Sequence, residues 1–231
     1  MNNDLLFKEI NSRGITRLCH FTKSNKALHI LRSEDGIKAV DFIESDIYEA
    51  NDELRLDGKT DFVNCSIQYP NHWYWKHVKD KYPLFTDWVI LYINPSLMLL
   101  ETTEFCFTNA AYKTGTCLKK GYEGFKEMFS STVSGKRINR RTANMLKCCP
   151  TDDQAEVLVY KNIPGKDIIG VAVESEEQAE REYRRWYKVL HDVPKFDIFI
   201  ASDLFDGQWR NKVRRGEKPL EYKYQVGDKD D

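Results

Sequence analysis

Seven short apolar runs constrain the fold of this 231-residue chain more than any other feature. They are four to eight residues long and rich in β-branched and aromatic residues, which is typical of strands. The runs cover residues 18–22, 62–69, 88–93, 105–108, 155–160, 168–173 and 196–201. Few of them are connected by a helix long enough for a parallel crossover. The pattern therefore predicts an α+β fold with a mixed sheet instead of a doubly wound one.

Two of these runs are expected at the centre of the sheet. The run WVILYI, from Trp88 to Ile93, has no charged residue and is stopped by Pro95, which predicts a strand buried on both faces. The run FVNCSIQY is stopped in the same way by Pro70.

Helical periodicity is strongest from Glu176 to Leu190, where apolar residues recur three or four positions apart. A second helix is predicted after Ser24, which would serve as its N-cap, and it would end near Gly36. A third is predicted from Tyr122 to Ser130. The tail after about residue 217 is expected to be an edge strand or partly disordered. We expect residues 1–231 to form a single domain.

The net charge of −1, from 35 basic and 36 acidic residues, argues against a wholly basic nucleic-acid coat protein. The charge is unevenly distributed. From Glu34 to Asp61 there are ten acidic and three basic residues, whereas from Lys113 to Lys147 there are nine basic and two acidic residues. The second segment is therefore the candidate nucleic-acid-binding region.

Six cysteines occur without a C-x-x-C pair, and the chain shows no secretory signal and no run of about 18 apolar residues. We expect reduced thiols in a cytoplasmic protein that does not associate with a membrane. A zinc site at Cys19 and His20 would need a distant third ligand, and no ligand spacing supports it. The expectation is that no metal is bound.

Glu156 is the first candidate catalytic residue, because it lies among Ala155, Val157 and Val159 on an apolar run. A buried carboxylate is costly without a partner or a ligand. One alternative is a glutamate on the solvent face of an edge strand. Another is a metal-dependent nuclease, which would need a lysine two residues later, where Leu158 stands.

Three other motifs are weaker when each is taken alone. Arg55 lies among carboxylates in NDELRLDG and could be only an ion-pair partner of Asp52 or Asp57. His20, in CHFT, lies at a strand end, where a lone histidine is more often structural. In FTNAAY, Asn109 could cap a helix that begins at the next residue.

Together and in chain order, these pieces resemble the DarT family of NAD-dependent nucleic-acid ADP-ribosyltransferases, which are toxins of toxin–antitoxin pairs. The matching pieces are CHFT, NDELRLDG followed by SIQYPN, FTNAAY, and PTDDQAEVLVY leading into IPGKDIIGVAV. The resemblance implies an ADP-ribosyltransferase fold, with a split, mostly antiparallel β-core around an NAD cleft. It also implies NAD as the substrate, a single-stranded nucleic acid as acceptor, a neutralising antitoxin, and a role in toxin–antitoxin or phage-defence systems.

The resemblance also assigns residues. Glu156 matches the catalytic glutamate and Arg55 the arginine near the NAD ribose and the target base. His20, Phe21 and Thr22 match the edge that holds NAD, and Asn109 is expected to face the ligand. A carboxylate bonded to the ribose 2′-hydroxyl would stabilise the oxocarbenium-like ribose that forms as nicotinamide leaves. The chain has no G-x-G-x-x-G, so a Rossmann-type NAD site is not supported.

The basic segment directly precedes the catalytic run, where the family's target-recognition loop would be expected. Its candidate phosphate contacts are Lys136, Arg137, Arg140 and Arg141. Three aromatic residues in the segment have helical spacing and either stack on unpaired bases or face the core; they are Tyr122, Phe125 and Phe129. A single strand is the expected substrate, because a base must leave its stack to enter an enclosed cleft.

The segment HWYWKHVKDKYP after Asn71 departs from the simpler sequence expected in the family. Trp73 and Trp75 are either core residues or part of a different target surface. The acceptor therefore stays open between thymine in single-stranded DNA and a guanine or RNA acceptor. The competing hypothesis from another class is a nucleic-acid-binding module without turnover, which would need a defect at the glutamate or the arginine.

Overall fold

The computed structural model describes residues 2–43, 55–190 and 196–226. The helices within these ranges are α1 (Asn2–Ser12), α2 (Ser24–Arg32), α3 (His72–Lys81), α4 (Gly121–Glu127), α5 (Glu176–Leu190), α6 (Ser202–Asp206) and α7 (Trp209–Arg214). The strands are β1 (Leu18–Lys23), β2 (Ile37–Lys38), β3 (Phe62–Ile67), β4 (Trp88–Ile93), β5 (Glu104–Cys106), β6 (Lys119–Lys120), β7 (Thr132–Ser134), β8 (Ile138–Arg140), β9 (Glu156–Tyr160), β10 (Asn162–Ile163), β11 (Ile168–Val173), β12 (Asp197–Ile200) and β13 (Tyr222–Lys223).

Nine of these strands form one sheet in the order β13-β12-β11-β4-β1-β3-β9-β5-β6. Within this sheet, adjacent strands run antiparallel, except that β11 and β12 run parallel to each other. Two small ribbons, β2 with β10 and β7 with β8, lie outside it. The predicted α+β fold with a mostly antiparallel core is therefore confirmed.

β4 is buried at every residue, as its uninterrupted apolar run predicts. It pairs with β1 over six residues and with β11 on its other side. Core clusters cover both faces of the sheet. One contains the fully buried Trp186 of α5, and the other contains Trp75, Trp88 and Trp209.

The sheet is split between β1 and β3. These two strands pair only at Leu18 with Ile67 and at Cys19 with Ser66. Beyond that point β3 continues as the partner of β9. The His20 ring spans the opening, since its Nδ1 lies 2.9 Å from the carbonyl oxygen of Asn64. The split thus separates the two halves of the β-core at the residues predicted to hold NAD.

Two local predictions need correction. Ser24 does not cap α2, because the N-cap position is Lys23 and no side-chain capping bond forms there. The Ser24 hydroxyl instead accepts a hydrogen bond of 2.8 Å from Arg185 of α5. The second difference is α3, a helix that the sequence analysis did not predict. Asn71 caps α3, and its side chain accepts the amide N–H of Tyr74 at 3.1 Å.

The tail forms the predicted edge strand, β13, beside β12. Glu221, just before it, accepts two hydrogen bonds of 2.6 Å from Arg17 and one of 3.0 Å from Tyr92. Residues 227–231 lie outside the described ranges.

All six cysteines are free thiols. None of the helices described above is long and apolar enough to cross a membrane.

Candidate active site

Glu156 is the first residue of β9, opposite Cys106 of β5, and only 6% of its surface is exposed. Its Oε2 accepts a hydrogen bond of 2.7 Å from the amide N–H of Ala110. Its Oε1 accepts from the side-chain amides of Asn71 and Asn109, at 3.3 and 3.4 Å. The alternative of a solvent-facing glutamate is therefore wrong. Two side-chain amides and one backbone N–H thus orient the carboxylate.

Both asparagines are oriented by a second bond to the local backbone. The Asn71 oxygen caps α3, and the Asn109 oxygen accepts the amide N–H of Ala111 at 3.1 Å. Because each oxygen is used by the backbone, each amide nitrogen is turned toward Glu156. The prediction that Asn109 caps a helix beginning at Ala110 is wrong, because the 3₁₀ turn begins at Tyr112, with Ala111 at its N-cap position and no side-chain capping bond. Asn71 was not predicted as a site residue, yet Pro70 followed by an asparagine is a sequence signal for a helix start.

Arg55 is fixed in the loop before β3. Its guanidinium forms hydrogen bonds of 3.1 and 3.3 Å with the Asp57 carboxylate and one of 2.9 Å with the carbonyl oxygen of Phe62. It also donates to the carbonyl oxygen of Lys59. The side chains of Arg55 and Asp57 are only 10% and 3% exposed. The ion pair with Asp57 is present, whereas Asp52 lies outside the described residues.

His20 is linked to the Arg55 loop through Asn64. The Asn64 carbonyl oxygen contacts His20 Nδ1, and the Asn64 side-chain amide donates to Asp57 at 3.2 Å. A carbonyl oxygen can only accept, so Nδ1 carries the proton. Burial lowers the pKa of His20 below its ordinary value, and the bond to Asn64 opposes this effect. The ring is therefore neutral near pH 7, and its Nε2 is a hydrogen-bond acceptor.

Phe21 and Thr22 follow His20 on β1. Successive side chains point to opposite faces of a strand, so His20 and Thr22 share one face. The Phe21 ring packs on the other, with its centroid 5.8 Å from Tyr74 and 6.2 Å from Trp88. Thr22 is buried. The three residues predicted to hold NAD thus lie side by side along the split, with the Phe21 ring in the core.

The second half of the basic segment contains the β7–β8 hairpin. Lys136, Arg137 and Arg140 are exposed on it. Arg141 is not, because its guanidinium donates to the carbonyl oxygens of Cys149 and Leu146, both at 2.7 Å. Burial also lowers its pKa. Arg141 therefore holds the loop after the hairpin, and we leave it out of the predicted set of phosphate contacts.

The aromatic residues of this segment are core residues. Phe125 and Phe129 are buried, and their ring centroids are 4.9 Å apart. Tyr122 is half-buried against the same cluster. For Phe125 and Phe129 the core-facing alternative is confirmed.

The turn of the hairpin packs against the FTNAAY motif. A Cβ at Gly135 would lie 2.2 Å from the Thr108 hydroxyl oxygen, so only glycine permits this approach. That hydroxyl donates to the buried Asp152 carboxylate at 2.8 Å. Burial raises the pKa of Asp152. Since Thr108 precedes Asn109, the basic hairpin is anchored beside the residues that contact Glu156.

The tryptophans after Asn71 separate into two environments. Trp75 is buried, whereas Trp73 is 38% exposed.

Throughout the described ranges, no group of three or more histidine, cysteine or acidic residues is arranged to hold a metal ion.

A split, mostly antiparallel core with a buried, hydrogen-bonded glutamate at the start of an interior strand is the arrangement that the resemblance to ADP-ribosyltransferases implies. The sequence profile described as "ssDNA thymidine ADP-ribosyltransferase, DarT" matches residues 19–205. The chain belongs to this family, which transfers ADP-ribose from NAD, and the predicted resemblance is confirmed. No curated protein sequence matches the chain.

Solved structures share the fold. The Thermus sp. 2.9 DarT in complex with NAD+ is 15% identical at a TM-score of 0.53, over 82% of this chain and 97% of that chain. The same protein in complex with ADP-ribosylated ssDNA is 14% identical at a TM-score of 0.55, over 83% and 97%. Thermosipho africanus DarTG in complex with ADP-ribose is 16% identical at a TM-score of 0.53, over 82% of this chain. This chain spans about half, 51%, of the DarTG chain.

Proposed function

We propose that this chain transfers ADP-ribose from NAD to thymidine in single-stranded DNA, with Glu156 as the catalytic carboxylate. The observation that carries the proposal is the position of Glu156. It is almost fully buried at the start of an interior strand, and it accepts hydrogen bonds from two side-chain amides and one backbone N–H. Such a carboxylate keeps its charge available for a cationic centre that forms in front of it.

In the proposed reaction, the bond between the anomeric carbon of the ribose and the nicotinamide nitrogen breaks. The ribose becomes oxocarbenium-like, and Glu156 stabilises it through a hydrogen bond from the 2′-hydroxyl. A nitrogen of the base then bonds to the anomeric carbon, and its proton passes to water. Glu156 does not act as a nucleophile. Asn71, Asn109 and the Ala110 amide act as positioning groups for its carboxylate.

The edge that holds NAD is assigned to His20, Phe21 and Thr22 on β1, and Asn109, which donates to Glu156, is assigned to face the ligand. A neutral His20 with Nδ1–H bonded to Asn64 presents Nε2 as an acceptor, which suits a ribose hydroxyl. Arg55 is assigned to the acceptor base. A guanidinium stabilises the anion of a deprotonated base but is not a general base at ordinary pH.

We further propose that residues 1–231 act as a single domain and that the reaction takes place in the cytoplasm. The six free thiols support that compartment. The structural likeness to a DarTG protein supports a neutralising antitoxin, which would either remove ADP-ribose or block the cleft. A role in phage defence belongs to the same proposal.

The deciding experiment incubates the protein with labelled NAD and four acceptors: single-stranded DNA, duplex DNA, RNA and protein. Transfer to single-stranded DNA is expected, and an oligonucleotide of the same length without thymine serves as the control. Transfer to RNA alone would overturn the acceptor assignment. Label in none of the four acceptors would favour the binding module without turnover.

The exposed basic residues of the hairpin lead to a prediction about salt dependence. Replacing Lys136, Arg137 and Arg140 by alanine should weaken binding of single-stranded DNA and flatten its dependence on salt by about 0.7 units of logarithmic slope per lost phosphate contact. Binding of NAD should not change. Fluorescence anisotropy of a labelled oligonucleotide, titrated at several salt concentrations, measures the slope.

The matched control removes three positive charges from α5, at Arg181, Arg184 and Lys188, which are exposed. This variant should keep the wild-type slope. An equal loss of slope in both triple variants would mean that net charge alone, and not the hairpin, binds the DNA.

A further inference from the structure

The Trp73 indole is set apart from the other tryptophans. It is 38% exposed, whereas Trp75, Trp88, Trp186 and Trp209 are each at most 5% exposed. Trp73 lies in the first turn of α3, two residues after Asn71. Large exposed aromatic residues beside a cleft are typical of binding surfaces.

Two arginines from different elements lie over the Trp73 ring. The guanidinium carbon of Arg137, from the turn of the hairpin, is 5.4 Å from the ring centroid. That of Arg210, from α7, is 4.3 Å away. Arg210 also forms an ion pair with Asp153. In the described part of the chain, the Arg137 guanidinium has no acidic partner. The cluster of Trp73, Arg137 and Arg210 thus combines an aromatic surface with positive charge.

Each member of this cluster is connected to Glu156 through a chain neighbour or a contact. Trp73 follows Asn71, which donates to Glu156. Arg137 belongs to the hairpin whose Gly135 packs on Thr108, the neighbour of Asn109. Arg210 pairs with Asp153, three residues before Glu156, and lines a small pocket with Asp153 and Ala155. The cluster therefore lies close to the groups that surround Glu156.

We propose that Trp73 stacks on the base next to the acceptor nucleotide and that Arg137 and Arg210 bind the phosphate of that nucleotide. The inference rests on the proposed function, since it assigns part of the DNA contact. An exposed indole provides a stacking surface for any base, and guanidinium groups held against a ring are already positioned for a phosphate. A single strand fits this site because its bases are free to unstack.

The competing interpretation is that the cluster has a purely structural role and stabilises the packing of α3 against the hairpin and α7. The two interpretations differ in what Trp73→Ala changes. If the role is structural, Trp73→Ala lowers the urea midpoint of unfolding and leaves the DNA affinity of the folded protein unchanged. A stacking role lowers the affinity for single-stranded DNA by about 5- to 150-fold, the usual range for one base stacked on one ring.

The experiment measures the Kd of the full chain for a short thymine-containing oligonucleotide by fluorescence anisotropy, together with transfer from labelled NAD. Trp73→Ala is expected to raise Kd by about 5- to 150-fold, and Trp73→Phe, which keeps a ring, by less. Tyr187→Ala is the control, since Tyr187 is 54% exposed on α5. It should leave Kd unchanged. Binding of NAD should be the same in all variants.

Arg137→Ala provides the same test without altering α3, and it should weaken binding and reduce the salt slope by about 0.7 units. If the wild-type protein binds and modifies the oligonucleotide, a folded Trp73→Ala protein with the wild-type Kd overturns the stacking inference but leaves the proposed function standing. A wild-type protein that does not bind single-stranded DNA overturns the proposed function and this inference with it.

Discussion

Glu156→Gln is expected to reduce the rate of ADP-ribose transfer to single-stranded DNA by about 10²- to 10³-fold, the effect of removing one group that stabilises developing charge. Glutamine has the size of glutamate and keeps an oxygen for the Ala110 amide, so the strand arrangement is preserved. It lacks the negative charge that stabilises the oxocarbenium-like ribose in the proposed reaction. Initial rates with labelled NAD and a saturating oligonucleotide measure the loss.

Glu180→Gln on α5 is the matched control and should retain the wild-type rate, because Glu180 forms an ion pair with Arg184 at the helix surface. Urea denaturation shows whether the Glu156 variant is folded. A folded Glu156→Gln protein that transfers at the wild-type rate would remove Glu156 from the reaction.

Arg55→Ala is expected to have two large effects, a loss of transfer and a loss of about 3–5 kcal/mol in the free energy of unfolding. The Asp57 carboxylate is almost fully buried and would lose its charged partner. The carbonyl oxygens of Phe62 and Lys59 would lose a donor as well. Urea denaturation followed by circular dichroism gives the change in stability.

The second variant of this series is Arg55→Ala with Asp57→Asn, which removes both charges and should recover part of the lost stability. Arg55→Lys keeps the positive charge but not the planar guanidinium. Its transfer rate therefore shows whether the charge alone is sufficient. An Arg55→Ala protein as stable as the wild type would show that the ion pair with Asp57 contributes nothing to the fold.

The elements with strong periodicity were predicted well from the sequence. β4 and α5 have the predicted bounds, because an unbroken apolar run and a clear 3.6-residue period identify buried elements directly. α3 was missed because only Trp75 and Val78 of its ten residues are buried, which is too few to produce a period. Asn71 as N-cap was the remaining signal.

The candidate site was predicted in part. Glu156 could be identified because a carboxylate in an apolar run is unusual. Its bond to Asn71 could not, since the two residues are 85 positions apart and meet only through the pairing of distant strands. Arg141 was assigned to phosphate from charge alone, whereas the carbonyl groups that bind it are set by the course of the loop. Residues 51–54 of the NDELRLDG motif lie outside the described ranges.

The seam between β1 and β3 has a mechanical consequence. Two residue pairs join the halves of the core there, against six between β1 and β4. Opening a sheet costs least where the fewest ladder bonds must break. The side-chain packing does not follow this gap, because one core cluster contains residues from both sides of it, Val63 and Val157 on one and Leu91 and Val171 on the other. The seam is therefore a gap in backbone pairing over a continuous core, and a dinucleotide bound there would contact the strand edges without separating the packed layers.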